Sequence, residues 1–352
     1  MDTNKYLELD FKFFNKKQIE IKFNELITHL TNFHFQKCAE YKKVLVIKKY
    51  NLKNKDLRKQ PYIPATLFKE IILKSIGNKK IIKTLNSSGT SGANTSKIFL
   101  DKNNAKNQKI VLSKILKKVL GVERLPMLIV AQEQKNVMNK SSFSAKYAAI
   151  FGFSIFGKNH TYLLNEKEEI DYLKLNNFLD KYSKKKFLVF GFTSNVYEYL
   201  LKKLSINKIK KNFKQAILIH GGGWKKMLDK KITNIEFRNK ALIKLKINTI
   251  YNYYGLVEQT GSIFLECPKC SCFVTTPYSD IIIRDKFFHS INYGRGIIQL
   301  ISVLPTSYPG HSILTQDEGE IINNNCDCKK FGKRFIVYGR VHQSEIRGCS
   351  DI

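Results

Sequence analysis

The chain has 352 residues, 43% of them hydrophobic, and a formal net charge of +32. That length supports a large buried core in two or more domain-sized units, and that hydrophobic fraction belongs to a globular chain rather than a disordered one. The seven cysteines are odd in number and concentrated late, which argues against a secreted disulfide framework. Met1–Lys5 has no apolar stretch behind a basic tip, so a signal peptide is not expected, and a reducing cytoplasm is the expected compartment. No apolar run nears the ~18 residues of a membrane span. Only eight of the 61 basic residues are arginine. Lysines spread along the whole chain fit a broadly basic surface better than a nucleic-acid reader, which relies on arginine forks. An acidic protein partner is one use for such a surface.

Taken in order, residues 1–85 read as mostly helical with basic faces. Phe23, Leu26, Ile27, Leu30 and Phe33 recur at three- and four-residue spacing, which predicts an amphipathic helix. Val44-Leu45-Val46-Ile47 fits either a strand or a buried helix. Pro61 and Pro64 punctuate an extended link, and 67–76 predicts a further helix. His29 and His34 are expected to be packing or surface residues.

The next stretch, Asn86-Ser87-Ser88-Gly89-Thr90-Ser91-Gly92-Ala93-Asn94-Thr95-Ser96-Lys97, is poor material for a helix or a packed strand. Its backbone N–H groups and hydroxyls can surround an anion, with Lys97 adding positive charge, and ATP phosphate is the natural candidate. No Gly-Lys-Ser/Thr closes it, so it is not the usual P-loop, and a plain Ser/Gly surface loop is the alternative.

Asp101–Leu120 is helical by pattern and Leu128–Val130 reads as a buried strand. The small, aromatic segment 141–156 would serve as core or as the lining of an acyl tunnel. A helix over 171–182, a fully apolar strand over 187–193 and a helix over 195–204 then alternate, the pattern of an α/β sheet protein. Ala216–Ile219 is the next strand, and Gly221, Gly222 and Gly223 stand at its end. Ligands commonly lie beyond strand ends in such sheets, where glycines admit a flat base and Trp224 can wall it; a plain strand-to-helix turn is the alternative. After Asn248–Tyr253 comes Tyr254-Gly255-Leu256-Val257-Glu258, whose carboxylate beside a phosphate site suits a Mg²⁺ ligand.

Cys267-Pro268-Lys269-Cys270-Ser271-Cys272 and Cys326-Asp327-Cys328 offer Cys267, Cys270, Cys326 and Cys328 as four thiolates for a structural Zn²⁺. Cys272 competes with Cys270 for one corner, and reduced, unliganded thiols are the alternative. Strands are expected over 280–285 and 296–304, and Phe335–Arg340 closes the large domain.

A hydroxyl/glycine loop, a strand ending in glycines and Tyr-Gly-x-x-Glu, in that order, resemble the adenylate-forming enzymes. Pro61-Tyr62-Ile63-Pro64, His220-Gly221-Gly222-Gly223-Trp224-Lys225, Ser307-Tyr308-Pro309-Gly310-His311 and Arg347-Gly348-Cys349-Ser350-Asp351 narrow the resemblance. It is closest to the acyl-protein synthetases of bacterial luminescence systems, with phenylacetate-CoA ligases next, and runs from about residue 60 onward. The implied fold is the large α/β domain of these enzymes: helical residues 1–85, an adenylate-forming core over 86–339, and a short remnant over 340–352. The remnant is too short for the small C-terminal domain common in the superfamily, as in the luminescence synthetases.

The resemblance implies ATP-dependent activation of a carboxylic acid, a fatty acid by analogy, followed by transfer to a thiol. Residues 87–92 and Lys97 would hold phosphates, and Glu258 the Mg²⁺. Gly221–Gly223 and Trp224 would flank adenine, with Tyr254 and Gly255 beside the nucleotide. Asp317 matches the ribose-binding aspartate of the superfamily, although Gln316 replaces its usual glycine. Arg340 matches the ribose arginine, and Cys349 the acyl-accepting cysteine. A reductase, an acyl carrier protein or coenzyme A would take the acyl group. A nucleotide-binding accessory protein and a lysine-rich nucleic-acid binder are the rival expectations.

Overall fold

A computed structural model describes residues 2–87, 95–121, 123–133, 142–223, 232–323, 326 and 332–341; side chains of 142–148 are outside the description. The chain opens on helices α1 (Thr3–Glu8), α2 (Lys16–Lys37) and α3 (Ala39–Ile47). A reciprocal capping box fixes the start of α2: the Asn15 side chain accepts from Gln18 N–H while the Gln18 side chain accepts from Asn15 N–H. The ambiguous Val44–Ile47 run is helical, with Leu45 buried and Val46 and Ile47 exposed. The helix expected over 67–76 is only one turn, α4 (Leu67–Glu70); at Ile71 the backbone becomes extended.

Three short strands follow in part: β1 (Ile63–Pro64) precedes α4, and β2 (Lys83–Asn86) and β3 (Lys97–Leu100) form an antiparallel hairpin. Helix α5 (Lys102–Leu120) is capped by Asp101 and ends at Gly121, whose φ of +83° suits glycine. Then come β4 (Leu125–Gln132), β5 (Ser142–Ser144), α6 (Ala145–Ser154), β6 (Gly157–Leu164), α7 (Tyr172–Tyr182) and β7 (Phe187–Phe192). The short α8 (Thr193–Asn195) continues as a π-helical stretch, Val196–Lys203, before β8 (Ala216–Gly221), α9 (Asn234–Leu245) and β9 (Thr249–Tyr254).

Strands β6, β4, β7, β8 and β9 lie side by side in parallel. Their near-continuous apolar sequence reflects helices on both faces. Met127, Ile129, Leu188, Phe190, Ile217 and Ile219 face α1, α2, α5 and α6; Leu128, Val130, Val189 and Leu218 face α7, the π-helical stretch and α9. The sheet continues through β10 (Phe264–Glu266) and β11 (Phe273–Val274) into β16 (Arg334–Arg340), β15 (Ser312–Ile322), β14 (Gly296–Ser302), β12 (Ser279–Arg284) and β13 (Ser290–Ile291), all antiparallel. Strand β1 docks in parallel on β15, and β5 on β2. The fold is a mixed α/β architecture around one large mixed sheet. Among the described residues no helix is long and apolar enough to cross a membrane.

Candidate active site

The carboxyl ends of β7, β8 and β9 lie in register, with Gly221 between Phe192 and Tyr253. Gly221 has no room for a side chain: a Cβ would sit 2.5 Å from the Tyr253 carbonyl oxygen and 2.6 Å from its ring. Gly222 takes a φ of +77° and Gly223 a φ of +66°, and both are exposed. The three glycines thus turn the chain out of the sheet and leave bare backbone at the strand end. Gly221→Ala should destabilise the chain by about 1–3 kcal/mol through overpacking. Urea unfolding measures it, and an unchanged midpoint would mean that Tyr253 yields freely.

Immediately before the glycines, His220 is buried, shares a 3.0 Å hydrogen bond with Thr193 Oγ1 through Nδ1, and packs 4.4 Å from the Phe237 ring. Burial, helped by Arg238, lowers its pKa to about 3, so the ring is neutral.

From β9 the chain passes through Gly255 into a single 3₁₀ turn, Val257–Gln259, which carries Glu258. Gly255 packs so closely that a Cβ there would lie 2.9 Å from the Ser262 carbonyl oxygen. The turn is held by buried Gln259, whose amide donates to the carbonyls of Gly310 at 3.0 Å and Leu300 at 3.3 Å. Glu258 is buried, and the Ser96 hydroxyl donates to its Oε1 at 2.6 Å. Burial raises the Glu258 pKa; Ser96, Lys69 and Arg340 act against that rise.

Ser96 belongs to the hydroxyl/glycine stretch. The base of that stretch is closed by Ser87, whose N–H donates to the Ser96 carbonyl at 3.1 Å and whose Oγ accepts from Ser96 N–H at 2.9 Å. The hairpin β2–β3 therefore sets Ser96 against Glu258. Lys97, one residue further, is exposed at the start of β3 opposite Asn86. Ser88, Gly89, Thr90, Ser91 and Gly92 lie outside the described residues, as do Trp224, Cys328 and Cys349.

The third component lies on the antiparallel half of the sheet. Asp317 on β15 sits directly across from Arg340 on β16. The Tyr254 hydroxyl donates to Asp317 Oδ2 at 2.7 Å, and Thr315 Oγ1 accepts from Asp317 N–H at 3.0 Å. Burial raises the Asp317 pKa against the opposing effects of Tyr254 and Arg340, and burial together with Asp317 pushes the Tyr254 phenol well up. Tyr254 is thus a fixed donor. The positive charge of Arg340 also opposes the rise at Glu258.

Glu258, Ser87, Tyr254, Gly255, Asp317, Arg340 and the Gly221 strand end are singled out by sequence. Ser96 and Lys69 are given no role by sequence, although both bear on Glu258. Ser96 stands inside the singled-out stretch, but composition does not say which of its six hydroxyls faces the carboxylate.

Residues 8–352 match the family described as acyl-protein synthetase, LuxE. The chain belongs to that family. The curated proteins gave no match. Among solved structures, an open conformation of 2-hydroxyisobutyryl-CoA ligase in complex with 2-HIB-AMP and CoA is similar over 96% of this chain and 82% of that one, with a TM-score of 0.71 at 12% identity. The same ligase in its postadenylation state with 2-HIB-AMP gives a TM-score of 0.72 at 11% identity, covering 97% and 74%. ATP-bound MatB from Rhodopseudomonas palustris gives 0.50 at 13% identity, covering 76% of this chain and 49% of that one. The shared feature at these identities is the fold of the adenylate-forming ligases. Membership of the LuxE family and this fold make the chain an adenylate-forming ligase that activates an acid and transfers its acyl group.

Proposed function

We propose that this LuxE-family chain activates a fatty acid with MgATP and passes the acyl group to Cys349 for delivery to a partner protein. In the first step a carboxylate oxygen attacks the α-phosphorus of ATP; a P–O bond forms, the bond to pyrophosphate breaks, and acyl-AMP remains. In the second, a thiolate attacks the acyl carbon, forming a thioester as AMP departs with the C–O bonding pair. The observation that carries this reading is the meeting of three sequence-remote segments: Ser96 on Glu258, and Tyr254 on Asp317, with Arg340 acting on both carboxylates.

The residues fit the groups the reaction needs. Glu258 presents a hard oxygen donor beside the hydroxyl stretch, suited to Mg²⁺, which when bound neutralises phosphate charge. The bare backbone of Gly221–Gly223 suits a flat base, with Trp224 proposed as its wall. Asp317 would accept from the ribose hydroxyls, held by Tyr254 and flanked by Arg340. The stretch 87–92 and exposed Lys97 would hold the phosphates, positioning and neutralising charge without covalent chemistry.

Cys349 is proposed from sequence: a thiol beside Arg347 gains thiolate character, and thioesters exchange readily. A reductase or acyl carrier protein would be the recipient. Coenzyme A is the second reading, favoured by the likeness to a ligase solved with CoA. The test is incubation with radiolabelled fatty, aromatic and hydroxy acids plus MgATP. A fatty acyl label that hydroxylamine removes should appear on the wild type and be missing from Cys349→Ser. Label retained on the variant would place the acceptor elsewhere, and acyl-CoA formation without protein label would favour the second reading.

A further inference from the structure

Away from the nucleotide site, the turn between β10 and β11 meets the connection between β15 and β16. Cys267 follows β10 directly and Cys272 precedes β11. The turn is drawn tight by two 2.8 Å bonds: Cys267 N–H donates to the Cys272 carbonyl, and Ser271 N–H donates to the Cys267 carbonyl. Ser271 takes a φ of +53°, which reverses the chain after Cys270. The sulfurs of Cys267, Cys270 and Cys326 all lie within 4.8 Å of one another, and none of the three is in a disulfide. Cys272 is differently employed: it is buried, and its thiol donates to the Cys270 carbonyl at 3.3 Å.

Three thiols rarely converge for packing alone, because each gains little from the others. A tetrahedral Zn²⁺ with Zn–S bonds of about 2.3 Å holds its sulfurs roughly 3.8 Å apart, a spacing this cluster can reach with small side-chain rotations. The backbone arrangement is also right, since one tight turn supplies two ligands and a distant connection supplies the third. We propose that Cys267, Cys270 and Cys326 bind a structural Zn²⁺ that ties the β10–β11 turn to the β15–β16 connection. The geometry resolves the choice left open by spacing: Cys270 is the ligand and Cys272 is not. Cys328 lies outside the described residues.

The tie has a structural purpose. Strand β11 pairs with β16, and β16 pairs with β15, whose Asp317 faces Arg340 at the opposite end of the hairpin. A metal at the connecting end would fix the register of the hairpin that carries these two residues. The inference stands on the thiol geometry and is independent of the acyl chemistry.

The test is zinc analysis of full-length protein, made without a histidine tag in zinc-supplemented medium, with release by an organomercurial followed by a chromogenic chelator. About one equivalent per chain is expected. Cys270→Ser and Cys326→Ser should fall below about a tenth of an equivalent, while Cys272→Ser should keep its zinc. Two results would overturn the proposal: wild-type protein holding less than about a tenth of an equivalent, or Cys272→Ser losing as much zinc as Cys270→Ser. If Cys270→Ser fails to fold, the wild-type zinc content and Cys272→Ser still decide. A Cys267–Cys270 disulfide in freshly purified wild type would likewise refute the metal.

Discussion

Glu258→Gln should lower acid-dependent pyrophosphate release by about 100- to 1,000-fold, the usual cost of removing one preorganised electrostatic partner from an active site. Glutamine preserves shape, and its carbonyl oxygen can still accept from Ser96, so the 3₁₀ turn held by Gln259 should survive. What disappears is the negative charge facing Lys69 and Arg340. The loss should therefore fall on turnover with MgATP while urea unfolding stays near that of wild type. Pyrophosphate release within threefold of wild type would remove Glu258 from the proposed metal-binding role. Ser96→Ala, which keeps the carboxylate but frees its orientation, should cost about tenfold, the equivalent of one charge-assisted hydrogen bond.

Mild acid should destabilise this chain through its buried, neutral histidines. His34 is fully buried on α2, with Nδ1 2.7 Å from Ser75 Oγ and Nε2 3.0 Å from the Pro305 carbonyl oxygen. Its ring stacks on that of His311, equally buried, at 5.0 Å. Burial lowers the His34 pKa to about 4 and, with His34 beside it, drives His311 well below its ordinary value; His220 is held at about 3. In the unfolded chain all three would titrate near 6.5. Below that pH the unfolded state binds more protons than the folded one. The stabilisation from neutral burial is thus complete above about pH 7 and is lost as pH falls from 6.5 towards 4. His34 alone accounts for about 3 kcal/mol across that window. Glu258 and Asp317, whose pKa values burial raises, act in the opposite sense and offset part of that loss. Urea unfolding between pH 7.5 and 5 should show a steady decline, flattened by His34→Gln in whatever fraction of that variant folds. A pH-independent midpoint over that range would contradict the neutral histidine stack.

The sequence displays the parallel half of the sheet plainly, because β7 and β8 are buried on both faces and read as unbroken apolar runs. Val44–Ile47 fits two readings because four consecutive apolar residues carry no period; in the fold it is helical, with only Leu45 of the four buried. The 67–76 segment misleads because its apolar residues dock separately, Phe68 and Leu73 into the core, while Ile72 is exposed. Tyr254, Glu258 and Asp317 are legible through ordered motifs, whereas the Ser96 contact spans 162 residues and the His34–His311 stack spans 277, distances at which no local pattern operates. The same holds for the choice of Cys270 over Cys272, which depends on the φ of one serine.

Strand β16 is the last described strand in sequence, yet it lies in the interior of the sheet, between β11 and β15. Until residues 334–340 have left the ribosome, β11 and β15 each present an open edge, and the backbone ladder is in two pieces. A nascent or prematurely terminated chain would expose both edges to neighbouring molecules, where strands pair indiscriminately. Expression yield should consequently depend on how quickly translation finishes and on chaperones that shield the two edges until β16 arrives.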